Sequence, residues 1–486
     1  MASARLGKMV TGVVVVGILA GIIGAGTAQA KMIVNNLERE VGLTTDGLVI
    51  ASSLDVRNEG KKPLDSFVYC PTRMVRDRTL QWAEFDEVAG NDEEEARLEW
   101  TLEEDKECMR VKLATPLKPS KSAQRTVEIF EVYTRDFVPL PGEIHQSEKQ
   151  KVGFTNFDVI ARDPENLEIR TQTTKFFLPS SNLEHYTKVE PTSVKGKEVV
   201  YGPYEDGKAP SNGRTTVTLV FEHPQPLLEI ESVVRDITVS SWTDIEVQEH
   251  YHIKNVGPTF KDGFSRVEFS RNPASYIAND LSMTLPKHAH SLFWIDVLGN
   301  ITTSKAKFET DQVTVEAVPR FPLVPGWQTH FTFGYKVPKH GFLKSGSGGA
   351  KTLVMDVLPA VKGIMIKNLT INAAVPEFST KVTGAALTSN VFCTEQDPFR
   401  TVELGTTTKK WWFDISGRPV RTLQMSDLSN EMTELSFYVK YDFNDVMKFK
   451  EVFMIASAWL LVFLVVTLWS YSDFTLVKGK GKAKAN

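Results

Sequence analysis

Val452–Tyr471 reads VFMIASAWLLVFLVVTLWSY, twenty residues without a charge. At about 1.5 Å of rise per residue, a helix of that length crosses roughly 30 Å, the thickness of a bilayer's hydrocarbon core. The stretch is expected to be a transmembrane helix, with Trp469 and Tyr471 where aromatic side chains would meet lipid headgroups. A buried core helix is the competing reading, but few soluble helices stay apolar all round for this length. Everything N-terminal to the run then lies on one side of a membrane.

Residues 1–30 indicate which side. Arg5 and Lys8 precede an apolar stretch from Met9 to Ile23, and small residues end in Ala28-Gln29-Ala30, the pattern of a secretory signal peptide cleaved before Lys31. An uncleaved signal anchor is the alternative, disfavoured by the shortness and glycine content of the apolar part. The tail after Tyr471 carries Lys478, Lys480, Lys482 and Lys484, whereas Lys448 and Lys450 on the other flank are offset by Glu451. Both signals point to a single-pass type I protein with a lumenal ectodomain and a short basic cytosolic tail, residues 472–486. The ending Lys482-Ala-Lys484-Ala-Asn486 resembles the lysine-based retrieval signal of endoplasmic reticulum membrane proteins.

Residues 31–450 are too many for one ordinary core, and two domains are the default division. A Gly, Lys, Pro, Ser and Asn-rich stretch at Lys195–Arg214 suggests domains at 31–213 and 214–447. Short apolar or alternating runs bounded by turn residues recur throughout, among them Leu48–Val56, Thr126–Thr134, Thr215–Phe221, Ile245–Val256, Thr329–Val337 and Leu435–Phe443. The fold class is therefore mainly β: two lumenal β-sandwich-like domains of antiparallel sheets, followed by one C-terminal transmembrane helix. There is no fixed-period repeat. Cys70, Cys108 and Cys393 allow at most one intrachain disulfide, and Cys70 with Cys108 is the favoured pair because both fall in the first domain.

Charge and motif exclude several functions. A formal net charge of −4 gives no basic face for nucleic acid. The acids Asp92–Glu95 are consecutive and lack the loop spacing of a calcium site. His250 and His252 share one face of a strand as two zinc ligands could, but no third ligand is evident. Lys344–Ala350, Lys-Ser-Gly-Ser-Gly-Gly-Ala, reads as a flexible loop, and Ser345–Thr352 fails as a phosphate loop because Ser345 and Ala350 stand where glycines are needed. No catalytic constellation, cofactor motif or metal site stands out, and the chain is expected to be no enzyme by itself. Asn300-Ile-Thr302 and Asn368-Leu-Thr370 are acceptor sequons for N-glycosylation, Asn300 in a turn after Gly299 and Asn368 at the start of a strand.

Several segments are similar, in order and spacing, to the ribophorin I family, a subunit of the oligosaccharyltransferase complex. The longest is Arg320-Phe-Pro-Leu-Val-Pro-Gly-Trp-Gln-Thr-His330, followed by Gly334-Tyr335. Others are Val132-Tyr-Thr134, Gln146-Ser-Glu-Lys-Gln150, Tyr186-Thr-Lys188, Tyr201-Gly-Pro-Tyr204, Val239-Ser-Ser-Trp242, Ile245-Glu-Val247, Gly263-Phe-Ser-Arg266, Gly299–Ser304 and Gly417-Arg-Pro-Val420. The resemblance covers roughly residues 125–475. It implies a non-catalytic subunit of a complex that transfers a preassembled oligosaccharide from dolichol pyrophosphate to Asn of Asn-x-Ser/Thr in nascent polypeptides. The implied partners are a many-span catalytic subunit, other small membrane subunits and the acceptor polypeptide, with the helix packing on a partner span through Ala456, Ser457 and Ala458. Trp411-Trp-Phe-Asp414 echoes the catalytic subunit's Trp-Trp-Asp-Tyr-Gly motif only superficially, and reads as a strand with paired core aromatics. Animal members carry a cytosolic domain after the helix, whereas fifteen residues follow Tyr471 here. A cargo receptor or adhesion ectodomain is the first rival reading, predicting a stable monomer that binds ligand alone. A lumenal hydrolase is the second, predicting a pocket with convergent acids.

Overall fold

The computed structural model describes residues 31–71, 80–88, 95–103, 108–120, 124–161, 167–205, 215–387, 392–393, 403–412, 414–430 and 435–472. The expected signal peptide, the acids Asp92-Glu93-Glu94 and the tail with Lys482 and Lys484 lie outside the described residues, as does the side chain of Cys393.

Strands dominate, and burial alternates along them. Ile245–Asn255 repeats buried and less buried side chains at every step, the period of a pleated strand with one face in a core. Two eight-stranded sheets form the backbone of the molecule. In the first, Met32–Leu43 pairs antiparallel with Gly47–Asn58, which pairs antiparallel with Arg125–Thr134. On its other side Met32–Leu43 runs parallel to Leu167–Phe177, which pairs antiparallel with Glu198–Glu205. In the second sheet Leu228–Val239 occupies the same place: it pairs antiparallel with Ile245–Asn255, which pairs antiparallel with Gln328–Val337, and parallel with Met365–Ala374, which pairs antiparallel with Arg418–Leu428.

The sandwich reading is right in kind, but the all-antiparallel expectation misses these two parallel pairings. A parallel pair needs a long crossover, and here the chain between the two strands supplies both further strands of the same sheet and strands of the facing layers. In the first unit Phe67, Met109 and Val111 of one small sheet and Val152, Phe154 and Val217 of another close the core over Leu37, Val41 and Ile50. In the second, Met283, Val313, Leu353, Met355 and Phe437 close over Val233, Ile237 and Val247. Each such aliphatic or aromatic side chain taken fully out of water contributes about 1.5–3 kcal/mol, so the cores carry the fold. Cys70 and Cys108 are joined by a disulfide beside the first of them.

The two units are copies of one plan, which no sequence period announces. Both central strands are twelve residues long and carry a bulge at the same place, between Val34 and Asn36 and between Ile230 and Ser232. Both bury an arginine at the eighth position, Arg39 and Arg235. Both partner strands end in a buried asparagine that ties down a loop. Asn58 Nδ2 donates to the carbonyls of Lys62 and Leu117, and Asn255 Nδ2 to those of Tyr276 and Leu323. Each asparagine side-chain oxygen accepts the backbone N–H two residues on, from Gly60 and Gly257.

The cores divide between Leu227, which belongs to the first, and Leu228, which belongs to the second. Thr216–Glu222, assigned to the second domain by a boundary at residue 213, instead pairs with Lys151–Asp158 of the first. Composition marked the loop before this strand; pairing decides which sheet receives it.

The buried arginines are compensated differently. Arg39 donates to the carbonyls of Asp158 and Val159 and to Thr174 Oγ1, while Glu131, fully buried nearby, accepts from Tyr69 Oη at 3.1 Å and Tyr133 Oη at 3.0 Å. Burial raises the Glu131 carboxyl from 4.5 to about 7, against the opposing pull of both tyrosines and Arg39. A raised folded pKa favours the protonated folded state. The contribution is therefore complete below pH 4.5 and is lost as pH rises through 7, by about 3 kcal/mol. Glu131→Gln is expected to flatten that part of a stability profile measured by denaturant unfolding between about pH 4 and 8; an unchanged slope would remove Glu131 as its source.

Candidate functional site

The polar side chains that the fold organises most tightly lie at two joints. The first links the units. Arg135, at the end of a first-unit strand, donates to the carbonyls of Thr45 at 3.2 Å and Leu228 at 2.9 Å and lies 3.4 Å from Glu229 Oε2. Asp46 accepts from Ser429 Oγ at 3.2 Å and from the Asn430 N–H at 3.0 Å. Gln146 donates to the Ser265 carbonyl and accepts its N–H, and Tyr276 Oη lies 2.9 Å from the carbonyls of Gln146 and Glu148. Ile144, Tyr276, Ile277 and Val324 pack beneath these bonds, and Glu143–Ile144 pairs with Thr259–Phe260 across the junction.

The second joint fastens the second unit to the apolar helix, Lys450–Tyr471. Lys450, its first residue, donates to Glu377 and lies 3.1 Å from Asp414 Oδ1. Glu377 is buried and also accepts from the Ser416 N–H, Ser416 Oγ and the Gly417 N–H. Asp414, buried too, takes Arg418 Nε at 3.2 Å and the Trp411 N–H at 3.0 Å. Gly417 has φ +87°, and a Cβ there would stand 2.8 Å from Thr408 Cγ2, so glycine is required. Trp242 Nε1 donates to the Lys448 carbonyl at 2.9 Å, and its ring meets Phe449 edge-on at 5.1 Å. Around this clamp Phe378, Ile415, Val446, Met447 and Phe449 are exposed, and Trp412 is 97 % exposed. Such a ring of apolar side chains at the mouth of a membrane helix suits the headgroup layer.

Trp411 and Trp412 are thus not paired core aromatics in a strand. They sit in a loop, Trp411 under Arg418 at 4.8 Å and Trp412 pointing out. His250 and His252 do share a face, but His250 meets Thr332 and His252 stacks on His330 with ring centroids 3.9 Å apart. Among the described residues no group of three His, Cys, Asp or Glu could hold a metal ion.

The two sequons differ in setting. Asn300 is exposed on a hairpin whose turn, Val297-Leu298, is also exposed. The hairpin is held by Arg320, which binds both carboxylate oxygens of Asp296, at 2.7 and 3.1 Å, and so keeps that carboxyl below its ordinary range. Asn368, exposed as well, lies mid-strand between two neighbours, and its Nδ2 donates to the Glu231 carbonyl at 3.0 Å, at the bulge of Leu228–Val239. The nitrogen a glycan would take is already a donor there. Asn300→Gln is expected to remove a glycosidase-sensitive mobility shift, and Asn368 to be modified only before its strand enters the sheet. Efficient modification of Asn368 on the folded protein would sink the second expectation.

The fold and these joints define a class: a membrane-anchored pair of β-units whose conspicuous polar chemistry is structural, spent on fixing units to each other and to a helix. The chain belongs to the Ribophorin I family, whose family model matches residues 32–470. The match therefore reaches into the first strand, well before residue 125. Subunit 1B of dolichyl-diphosphooligosaccharide–protein glycosyltransferase from Arabidopsis thaliana is 30% identical over 96% of this chain and 98% of that one. Subunit 1 of the same enzyme from Caenorhabditis elegans is 27% identical over 95% of this chain and 76% of that one. Among solved structures, an M1 zinc metallopeptidase from Deinococcus radiodurans aligns at 13% identity with a TM-score of 0.24, covering 44% of this chain and 42% of that one.

Some of the family-like segments lie at the joints just described. Gln146, Ser265, Trp242 and Gly417 make them, Arg320 holds the Asn300 hairpin, and Tyr335 Oη accepts from Arg235 at 3.1 Å. Glu377 and Lys450 were missed in the sequence. Only the charge of Lys450 beside an apolar run hinted at a partner, and its partner is seventy-three positions away.

Proposed function

We propose that this chain is a non-catalytic subunit of an oligosaccharyltransferase, anchored in the endoplasmic reticulum membrane as a single-pass type I protein with its β-units in the lumen. Its role is to hold those units in fixed geometry over the membrane, beside a many-span catalytic subunit and the smaller membrane subunits. The observation that carries this is the clamp of Glu377 and Asp414 on Lys450. A receptor on a flexible stalk has no use for a buried ion cluster joining its domain to the first turn of its anchor. Membership of a family whose relatives are named as subunits of the transferase supports the same conclusion.

Handling of acceptor polypeptide is the finer part of the proposal. Glu403–Lys409 is an edge strand of the second large sheet and ends two residues before the Trp411-Trp412 pair. An extended peptide could add to such an edge through its backbone, with sequence tolerance. Ala456, Ser457 and Ala458 are exposed on the helix and small enough for a partner span to approach closely.

The test is a mild-detergent pull-down through a tag after Lys31, with mass spectrometry of partners and an acceptor-peptide glycosylation assay on the eluate. Recovery of a many-span glycosyltransferase, with transfer lost when it is stripped away, is expected. A lone protein with neither partner nor activity would overturn the proposal in favour of the receptor reading.

A further inference from the structure

A cleft of about 280 Å³ opens at the membrane-proximal end of the second unit, lined among others by Ser240, Lys339, Ser345, Lys351, Tyr441 and Lys448. Its charge is unbalanced. Lys351 and Lys448 share one carboxylate, Asp445, at 3.0 and 2.7 Å. The Lys339 ammonium makes no hydrogen bond or ion pair among the described residues; burial together with the Lys448 and Lys351 charges pulls it below the usual range, against a weaker opposing pull from the Asp244 carboxylate. A lysine held near two others, with no carboxylate in ion-pair contact, is stabilised by an incoming anion.

A second observation points the same way. Tyr441, from the strand paired with Lys351, is 2% exposed, and its hydroxyl is buried without a hydrogen-bond partner. A buried, unmatched hydroxyl is destabilising, and an acceptor oxygen in the cleft would relieve it. The Lys344–Ala350 loop, which lacks the backbone cradle of a nucleotide-binding loop, forms the hairpin beside this cleft, and Gly349 packs on the Phe443 carbonyl. The loop therefore contributes Ser345 and the start of Lys351's strand to the wall. Lys448 stands two residues before the apolar helix, so the cleft faces the level at which lipid headgroups lie.

We propose that this cleft is a binding site for an anionic phosphate, with Lys339 and Lys351 as the charge partners and Tyr441 Oη as a donor, and that its position suits a phosphate monoester or diphosphate headgroup carried by a membrane lipid. The lipid source rests on the helix spanning the membrane; the phosphate chemistry does not. The test is lysine-acetylation footprinting of the full-length chain in phosphatidylcholine nanodiscs, alone, doped with phosphatidic acid, or with added inorganic pyrophosphate.

Phosphatidic acid is expected to slow acetylation of Lys339 about tenfold, leaving exposed Lys287 unaffected. Tyr441→Phe, which keeps the ring in the core, is expected to weaken the protection without lowering the melting temperature. Protection by pyrophosphate alone would keep the phosphate site and overturn its lipid source. Protection by neither, or protection indifferent to both Tyr441→Phe and Lys351→Gln, would overturn the site. The pull-down above reads subunit membership independently of either outcome.

Discussion

Arg235→Ala is expected to destabilise the second unit by about 3–5 kcal/mol. Arg235 is 3% exposed and its guanidinium reaches the carbonyls of Asp356, Val357 and Leu358 as well as Tyr335 Oη. Its Nε lies 2.9 Å from Glu249 Oε1, and Glu249 is fully buried. Glu249 Oε2 in turn takes Tyr251 Oη and the Ala360 N–H. Removing the arginine leaves a carboxylate in the core without its counter-charge and three carbonyls without a donor. At about 2–4 °C per kcal/mol for a domain of this size, the melting transition should fall by roughly 6–20 °C. Truncating both charges costs less than truncating one, because the penalty comes mostly from the ion left behind. The Arg235→Met, Glu249→Leu pair is thus expected to recover much of the loss. A single variant as stable as the parent, or a double variant worse than the sum of the singles, would refute this account of the cluster.

Glu377→Ala should uncouple the helix from the second unit with less effect on either core. Three donors from Ser416 and Gly417 lose their acceptor, and Lys450 keeps only Asp414, which it shares with Arg418. Losing a buried, charge-assisted acceptor of this kind costs about 3 kcal/mol locally, which corresponds to roughly hundredfold faster opening. Hydrogen exchange should accelerate by that order at residues 414–418 and 445–450 and remain unchanged at the centre of Ile245–Asn255, far from the clamp. If exchange rose equally throughout, Glu377 would be a general stability residue and not a hinge pin. If the scaffold role is right, the same variant should keep its partners in a pull-down while its complex transfers glycan more slowly.

These two residues illustrate how unevenly the molecule is written into its sequence. Arg235 sits in a run of alternating β-type residues and could have been read as one more solvent-facing charge. Nothing local says that a facing-layer loop, Asp356–Leu358, will bring three carbonyls to it. Its counterpart Arg39 occupies the same position of the same strand plan, yet the acid has moved: Glu131 lies on a different strand from the one that carries Glu249. The side-chain partners differ between the units while strand order and bulge do not, so the shared plan is visible in pairing and invisible as a sequence period.

The sequence by itself determined what depends on local physics: an uncharged apolar run long enough to span a bilayer, strands through alternation and β-branched content, and exposed turns such as the one before Asn300. The family was legible as well, in segments such as Gln146–Gln150 and Gly417–Val420, some of whose residues make specific contacts. Only the tertiary structure decided what depends on partners distant in the chain. It made the two central pairings parallel, gave Thr216–Glu222 to the first unit, and turned Trp412 outward. It also joined Lys450 to Glu377 and gathered Lys339, Lys351 and Lys448 at one cleft. The physical reason is that backbone propensity and hydrophobic period act over a few residues, whereas the cost of a buried charge is settled by whichever group the fold brings within reach.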